Sequence, residues 1–174
     1  MTDKIKNILN EQIREEMYSS NLYLAMAGRL EDWNLKGMSN WMHIQAKEEH
    51  NHALGFFYFL LDRDVEPVIP AIAAPDLSGI KKASDVFAAA LKHEQHITAC
   101  IGKIYELAKE EKDHALESFI KWYIDEQVEE EANAKEISGK LSLVGDAGSS
   151  LYLLDQELAA RTFTEFIPGK TATA

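Results

Sequence analysis

The sequence predicts an all-α protein: a four-helix bundle with one long crossover connection and a short fifth helix at the C-terminal end. Apolar residues recur at steps of three and four over four long stretches, which is the period of an amphipathic helix. Three of the four prolines fall between the second and third stretches, where they exclude a helix. A chain of 174 residues fits one domain with a sizeable core, so we expect a single domain over residues 1–174.

The first helix is predicted over residues 4–33, because its apolar residues, among them Leu9 and Tyr23, share one face. Two steps of seven residues join Leu9 to Tyr23, and the position between them is Glu16. A carboxylate therefore stands at a core position of this helix.

The second helix is predicted over residues 40–63, after a turn in which Ser39 or Asn40 is expected to cap it. Because this turn is short, the second helix should run antiparallel to the first. Its inward face turns polar at its middle, where Glu49 and His52 interrupt the apolar series.

A proline-rich segment, residues 64–82, separates the second helix from the third. An extended chain gains about 3.3 Å per residue, against about 1.5 Å in a helix. The segment is therefore long enough to travel the length of the bundle, which allows the second and third helices to be parallel.

The third helix is expected to be capped by Ser84, and only Glu94 interrupts its apolar face. On the fourth helix, Gln127 and Glu130 interrupt the same pattern together. The predicted bounds are 84–110 for the third helix, 114–144 for the fourth, 149–161 for the fifth and 162–174 for a loosely ordered tail.

Charge and composition disfavour several classes of function. Twenty-nine acidic and 18 basic residues give a formal charge of -11, which disfavours nucleic acid and anionic membranes and suits cations. The single cysteine, Cys100, excludes an intrachain disulfide and a multi-cysteine metal site. The N-terminus lacks the apolar core of a signal peptide, and no apolar run approaches the roughly 20 residues that cross a bilayer. We therefore expect a soluble cytoplasmic protein without nucleic-acid or membrane partners.

The polar residues on the four inward faces lie near the middle of each helix and together predict a metal centre. Glu49 and His52 stand one turn apart on one helix face, where a carboxylate and an imidazole can bind a single ion. That pair alone is a weak signal, since glutamate is mostly exposed. Unpartnered buried carboxylates, however, cost several kcal/mol each, and no Lys or Arg stands on the inward faces at this depth. The set is Glu16, Glu49, His52, Glu94, Gln127 and Glu130.

The depths of these positions do not all agree. Counted from about residue 36, Glu16 is about twenty residues away and Glu49 about thirteen, a mismatch of about 10 Å. The mismatch closes only if the first helix ends earlier or the turn is asymmetric.

The donor set also indicates the metal. Oxygen-rich coordination with one imidazole suits iron or manganese better than a structural zinc site. Two ferrous ions bridged by Glu49 can deliver two electrons together to dioxygen or peroxide, which would make a ferroxidase centre. Tyr23 is either a hydrogen-bond donor or electron source beside the metals, or an ordinary core tyrosine.

Several motifs occur in order along the chain: Leu9-Asn10-Glu11-Gln12 with Glu16-Met17-Tyr18-Ser19-Ser20, Glu48-Glu49 with His52, Lys92-His93-Glu94-Gln95, Trp122-Tyr123 with Glu126-Gln127, Glu129-Glu130-Glu131, and Lys140-Leu141-Ser142-Leu143-Val144-Gly145. With these motifs the chain resembles the bacterial non-haem ferritins over nearly its whole length. The resemblance implies a ferritin-like bundle that assembles into a hollow 24-subunit shell, oxidises Fe(II) with O2 or H2O2 and stores a ferric mineral.

The resemblance also implies a role for each site residue. Glu16, Glu49 and His52 would hold a first iron with Gln127 nearby, and Glu49, Glu94 and Glu130 would hold a second. Glu48, Glu126 and Glu129 would form a third, outlying iron site. For these last three, spacing alone favours a solvated acidic face, whereas the resemblance favours a metal site, less firmly at Glu48.

Several positions differ from those of related families and indicate which cofactor to expect. A bacterioferritin-like chain has Glu and His where this chain has Gln127 and Glu130, and a haem-ligating Met where it has His50. We therefore expect no haem, and the lack of Cys-x-x-Cys argues against a rubrerythrin. His50 has no assigned role. His50 is expected on the surface, and so are the other histidines outside the metal centre: His43, His93, His96 and His114.

Two other interpretations stay open. An acidic helical scaffold would bind no iron and would form no large shell. A di-metal redox enzyme would act on an organic or peroxide substrate. The apolar stretch Leu151 to Arg161 favours the ferritin interpretation, because the corresponding helix of ferritins lines the fourfold axes of the shell.

Overall fold

The computed structural model describes residues 1–170, which contain five α-helices and no β-strand. The predicted fold class, a four-helix bundle with a long crossover and a short fifth helix, is confirmed. The helices are α1 (Asp3–Asp32), α2 (Lys36–Leu61), α3 (Ala83–Glu110), α4 (His114–Val144) and α5 (Gly148–Leu158).

The directions of the helices follow from their contacts with α1. The further along α1 a residue lies, the earlier in α2 or α3 its hydrogen-bond partner lies. Both helices therefore run antiparallel to α1 and parallel to each other. The contacts are Ser39 with Ala27 and Ser20 with Ala46 for α2, and Ser19 with His93 and Lys4 with Glu111 for α3 and its C-cap.

The crossover between α2 and α3 runs along α1, as its length predicted. The Val68 N–H donates to Asn10 Oδ1 at 2.9 Å near one end of the bundle. Arg29 Nη1 donates to the Ile80 carbonyl at 3.0 Å near the other. These two anchors are 19 residues apart on α1, or about 28 Å along a helix.

Two helix starts differ from the expected ones, because their caps come from elsewhere in the chain. α2 begins at Lys36 instead of residue 40, and Ser39 lies inside it, donating to α1. Ser84 does not cap α3. Its N–H and hydroxyl instead donate to the Asp146 carboxylate at 2.8 and 2.9 Å. A side chain in the loop before α5 thus serves the N-terminus of α3.

The fifth helix is fixed to the start of α2 by Asp155, which is buried. Its Oδ1 accepts from the Met38 N–H at 2.9 Å, which satisfies one of the free donors of the α2 N-terminus. Gly37 permits this contact, because a Cβ there would lie 1.7 Å from the Asp155 carbonyl oxygen. α5 ends at Leu158, three residues before the expected Arg161.

The apolar core is divided into two clusters. One surrounds the turn between α1 and α2 and includes α5, with Leu30, Met42, Phe87 and Leu154 among its buried members. The other surrounds the turn between α3 and α4, with Leu9, Phe56, Ile101 and Ile120. Between them lies a layer of buried polar side chains: Gln12, Glu16, Gln45, Glu49, His52, Glu94, Gln127 and Glu130.

The tail is not loose over residues 162–170, contrary to expectation. Pro168 is buried beside Gly55 of α2, and Phe166 contacts Trp122 of α4 with ring centroids 5.3 Å apart. Apolar contact and the Lys170–Asp62 ion pair at 2.5 Å hold this segment against the bundle. The expectation for residues 171–174 lies outside the described residues.

None of the helices in residues 1–170 combines the length and apolar character needed to cross a membrane.

Candidate metal centre

Three of the predicted site residues converge between α1 and α2. Glu16, Glu49 and His52 each offer a ligand atom, and the three atoms lie within 4.8 Å of one another. All three side chains are buried, with residue exposures of 1%, 2% and 5%. His52 Nδ1 lies 3.4 Å from Glu49 Oε2, as the i, i+3 spacing predicted.

The mismatch in depth between Glu16 and Glu49 is largely removed by the true position of the turn. α1 ends at Asp32 and α2 begins at Lys36, so Glu16 lies sixteen residues before the turn and Glu49 thirteen after it. The turn is nearer to Glu16 than the sequence count assumed. The remaining offset is about 4.5 Å along the helices, which side chains can bridge.

A glutamine one turn earlier on the same helix supports each of two site glutamates. Gln12 Nε2 donates to Glu16 Oε1 at 2.9 Å. Gln45 Nε2 donates to Glu49 Oε1 at 2.8 Å. Since one oxygen of each carboxylate is held by an amide, the other is left to face the centre. A Gln-x-x-x-Glu pattern on an inward helix face was the sequence signal for this support.

Glu94 is held from two sides. The Tyr23 hydroxyl donates a hydrogen bond to Glu94 Oε1. Gln127 Nε2 lies 3.2 Å from both Glu94 Oε2 and the Glu94 carbonyl oxygen, and 3.4 Å from Thr98 Oγ1. Of the two roles predicted for Tyr23, this geometry favours a hydrogen-bond donor beside the site, and it makes Gln127 a partner of Glu94.

Aromatic rings close the layer around His52. Its ring meets the edges of Trp122 and Tyr123, with centroids 5.4 and 6.0 Å apart. The Tyr123 hydroxyl also donates to the His52 carbonyl oxygen at 2.8 Å, which links α4 to α2. The imidazole is therefore fixed by packing on one side and by Glu49 on the other.

The protonation states show how the carboxylates coexist without a cation. Burial and the neighbouring Glu49 charge raise the pKa of Glu16 well above its ordinary value, and they raise that of Glu94 to about 8. Burial also raises the pKa of Glu130, reinforced by Glu49 and Glu94. These groups tend to hold protons in the metal-free protein, so a cation that binds them must displace protons.

Glu49 and His52 form the charged pair of the layer. Burial acts to raise the pKa of Glu49, but contact with His52 and Gln45 brings it below its ordinary value. Burial acts to lower the pKa of His52, but Glu49 and the other carboxylates raise it to about 10. In the absence of a metal, these shifts favour an ionised Glu49 carboxylate beside a protonated His52 imidazole.

One polar atom at the centre has no partner among the described residues. Glu16 Oε2 is buried and accepts no hydrogen bond. A buried unsatisfied oxygen costs free energy unless something binds it. Its place within the Glu16, Glu49 and His52 group makes it a ready ligand, and the oxygen-rich donor set fits iron.

The other predicted ligands are not gathered as tightly. Within residues 1–170, the one group of three or more potential ligands whose donor atoms lie within 4.8 Å of one another is Glu16, Glu49 and His52. Glu94 and Glu130 lie in the same buried layer but outside that group. The carboxylates predicted for a second ion therefore share the buried layer but do not converge on one point.

The outlying set is more open. Glu48 is half-buried and bonds to Arg161 Nη2, and burial raises its pKa although Arg161 opposes the rise. Glu126 is also half-buried, and its pKa is likewise raised by burial. Glu129 is exposed. These three carboxylates do not converge on one point, and one of them already has a cationic partner.

The histidines outside the centre are exposed with one exception. His50, His43, His96 and His114 lie on the surface. His93 is half-buried instead, because its Nε2 lies 2.7 Å from Ser19 Oγ and its ring packs between Tyr18 and Tyr23.

Comparisons with known proteins agree with this architecture. The family model described as a ferritin-like domain matches residues 6–144. A bacterial non-heme ferritin of Staphylococcus saprophyticus is 36% identical over 165 residues, covering 95% of this chain and 98% of its own. One from Staphylococcus aureus is 34% identical over 167 residues, covering 95% and 99%.

Solved structures give the same result. An Archaeoglobus fulgidus ferritin engineered into a closed form superposes with a TM-score of 0.91 at 40% identity, covering 94% of this chain and 99% of its own. A humanized archaeal ferritin superposes with a TM-score of 0.92 at 41% identity, covering 95% and 99%.

Proposed function

The chain belongs to the ferritin-like domain family, and from that premise we propose that it is an iron-storage ferritin. In this proposal it oxidises Fe(II) to Fe(III) at a di-iron ferroxidase centre within each subunit, using O2 or H2O2. The ferric product is stored as a mineral inside a 24-subunit shell. Iron is here both substrate and cargo.

The observation that carries the proposal is the buried group of Glu16, Glu49 and His52. Its ligand atoms lie within 4.8 Å of one another, and Glu16 Oε2 has no protein partner among the described residues. Two carboxylates and one imidazole suit a ferrous ion, and the apolar clusters on either side limit access of water.

A second ferrous ion would bind between Glu49, Glu94 and Glu130, with Glu49 as the bridge. Tyr23 and Gln127 hold the Glu94 carboxylate within the buried layer. Side-chain movements of Glu94 and Glu130 toward Glu49 would complete the site. Two adjacent ferrous ions release two electrons together, which is the number that reduction of dioxygen to peroxide consumes. Protons displaced from Glu94 and its neighbours are available for that reduction.

The proposal includes a third iron site at Glu48, Glu126 and Glu129. It would require Glu48 to leave Arg161 or to share its carboxylate between Arg161 and iron. Three carboxylates, two of them half-buried and one exposed, are compatible with a site that binds iron transiently.

Assembly is supported by exposed apolar side chains on and near α5. Leu143, Tyr152 and Leu153 are 89%, 62% and 67% exposed in the isolated chain. Large exposed apolar residues favour burial against other subunits. The cytoplasmic location inferred from the sequence remains a prediction.

Rapid mixing of the metal-free protein with Fe(II) under oxygen tests the proposal. The wild type should show a fast rise of ferric absorbance, and Glu49→Ala and His52→Ala should abolish the fast phase. His50→Ala is the matched control, because this exposed histidine adjoins Glu49 and should leave the rate unchanged. A wild-type rate in both ligand variants would refute a ferroxidase at this centre.

Light scattering separates this proposal from an acidic scaffold. An iron-storing shell should have a mass of several hundred kilodaltons and should retain iron after gel filtration. A small species without iron would favour the scaffold.

A further inference from the structure

Arg161 lies outside the four-helix bundle, just beyond the end of α5, yet its side chain reaches α2. Nη1 donates to Gln45 Oε1 at 2.8 Å and to the Trp41 carbonyl at 3.3 Å. Nη2 forms an ion pair with Glu48, and the guanidinium lies 4.2 Å from the centroid of the Trp41 ring. Only 20% of the side chain is exposed, so its position is well defined by these contacts.

The contact with Gln45 continues into the metal centre. Gln45 is 1% exposed, and its Nε2 donates to Glu49 Oε1 at 2.8 Å. A glutamine amide has an acceptor end and a donor end, and its partners decide which way it points. Because Arg161 can only donate, it holds the oxygen of Gln45 outward and turns the NH2 group toward Glu49.

The equivalent glutamine on α1 is a useful contrast. Gln12 donates to Glu16 Oε1 in the same way, but no arginine bonds its side chain in the described part of the chain. The additional support is therefore specific to Glu49, the carboxylate that would bridge the two iron sites.

We propose that Arg161 is a positioning residue for iron oxidation: acting through Gln45, it fixes the orientation of the Glu49 carboxylate. The inference rests on the proposed function and deepens it, since it assigns a role in the chemistry to the segment after α5. The ion pair with Glu48 and the packing on Trp41 hold the guanidinium where it can act on Gln45.

A purely structural role of Arg161 is the competing explanation, and Asn40 offers a control for it. Asn40 Nδ2 bonds the carbonyl oxygens of Ala159 and Arg161 at 3.4 and 3.1 Å, so it anchors the same segment without touching Gln45. Arg63 provides a second control, because its ion pair with Asp113 at 2.7 Å is of the same chemical kind and lies in another part of the bundle.

The test compares Arg161→Ala, Arg161→Lys and Asn40→Ala in the full assembled protein. Three properties are measured: the steady-state kinetics of Fe(II) oxidation, the visible absorption spectrum of the protein loaded with Co(II) alone, and the melting temperature. We expect Arg161→Ala to lower kcat about tenfold, the scale of effect seen for residues that orient metal ligands, and to alter the Co(II) spectrum. Arg161→Lys should recover thermal stability but not the wild-type spectrum, since lysine lacks the planar fork whose two nitrogens bond Gln45 and Glu48 separately.

A double-mutant cycle with Gln45→Ala tests the route. If Arg161 acts through Gln45, Arg161→Ala should add no further loss of kcat in the Gln45→Ala background. Asn40→Ala and Arg63→Ala should lower the melting temperature while leaving kcat and the Co(II) spectrum unchanged.

Three results would overturn the inference: a wild-type kcat and Co(II) spectrum in Arg161→Ala, an undiminished effect of Arg161→Ala when Gln45 is absent, or the same spectral change in Asn40→Ala. Failure of the proposed function is distinguishable from these. A wild-type protein that oxidised no Fe(II) would refute the ferroxidase, whereas the Co(II) spectra would still decide whether Arg161 orients Glu49.

Discussion

Replacing Glu16 by glutamine should stabilise the metal-free protein while weakening its metal site. The buried carboxyl of Glu16 has a pKa well above its ordinary value of 4.5, and one of its oxygens has no partner. Glutamine can keep the hydrogen bond from Gln12 and place its NH2 group near the ionised Glu49, without a titrating proton. The variant therefore removes a cost that the wild type bears in the absence of a cation.

The size of this cost follows from proton linkage. In the folded protein the Glu16 carboxyl keeps a proton that the unfolded chain loses above about pH 4.5. The stability due to Glu16 is thus fully present below that pH and is lost as the pH rises toward the folded pKa. At about 1.4 kcal/mol for each pH unit between 4.5 and the folded pKa, the loss at pH 7 is at most about 3 kcal/mol per subunit. For a chain of this size, that upper bound corresponds to a melting temperature roughly 6 to 12 °C higher in the variant.

Calorimetric melting in the presence of a chelator, at several pH values, measures the difference. The gain should be near zero at about pH 4.5 and should increase with pH. Glu15→Gln is the matched control, because the neighbouring Glu15 has a pKa lowered by Arg14 and His96 despite partial burial, so its loss should not stabilise the protein. Addition of Co(II) should raise the melting temperature of the wild type more than that of Glu16→Gln. A variant no more stable than the wild type at pH 7 would mean that Glu16 is ionised in the metal-free centre, which would refute this reasoning.

Three further predictions concern protons, the tyrosine and the fifth helix. Divalent-cation affinity should fall as the pH is lowered from about 8 to 6, because the pKa values of Glu94, about 8, and His52, about 10, require a cation to displace protons. Calorimetry in two buffers of different ionisation enthalpy measures this proton release. Equal heats of binding in the two buffers would contradict the prediction. Tyr23→Phe should slow Fe(II) oxidation about tenfold but leave Co(II) bound, because it removes the hydrogen-bond donor to Glu94 Oε1. Stopped-flow rates equal to those of the wild type would argue against a role of Tyr23 in orienting Glu94. Gly37→Ala should displace α5 and impair assembly, measured by light scattering, because the new Cβ would lie 1.7 Å from an α5 carbonyl oxygen. Gly28→Ala is the control, because its Cβ meets open space on α1, and it should stabilise the protein by about 0.5 to 1 kcal/mol. Similar behaviour of the two variants would contradict the contact between Gly37 and α5.

The inward positions of the site residues could be predicted because a helix repeats every 3.6 residues. This period places Glu16 on the face of Leu9 and Tyr23, and all three are buried. Glu94 on α3 and Glu130 on α4 followed from the same rule and are also buried. Direction around a helix axis is a local property, so the sequence carries it.

The caps could not be predicted in the same way. Ser39 and Ser84 are suitable capping residues, but backbone N–H groups at the N-termini of α2 and α3 instead donate to the distant Asp155 and Asp146. The free N–H groups at a helix N-terminus can donate to any acceptor that tertiary packing brings to them, so a nearby serine does not by itself identify the cap.

By itself, the sequence determined the fold class and the acidic polar residues near the middle of each of the four long helices. Both follow from amphipathic periodicity and from the cost of buried charge, which depend on the order of residues in the chain. Only the tertiary structure decided the depth at which α1 and α2 bring Glu16 to Glu49, since a shift in the turn slides one helix along the other. It also decided that Arg161 reaches Gln45 and that residues 162–170 pack on the bundle. These contacts join residues far apart in the chain, and no local pattern encodes the distance between them.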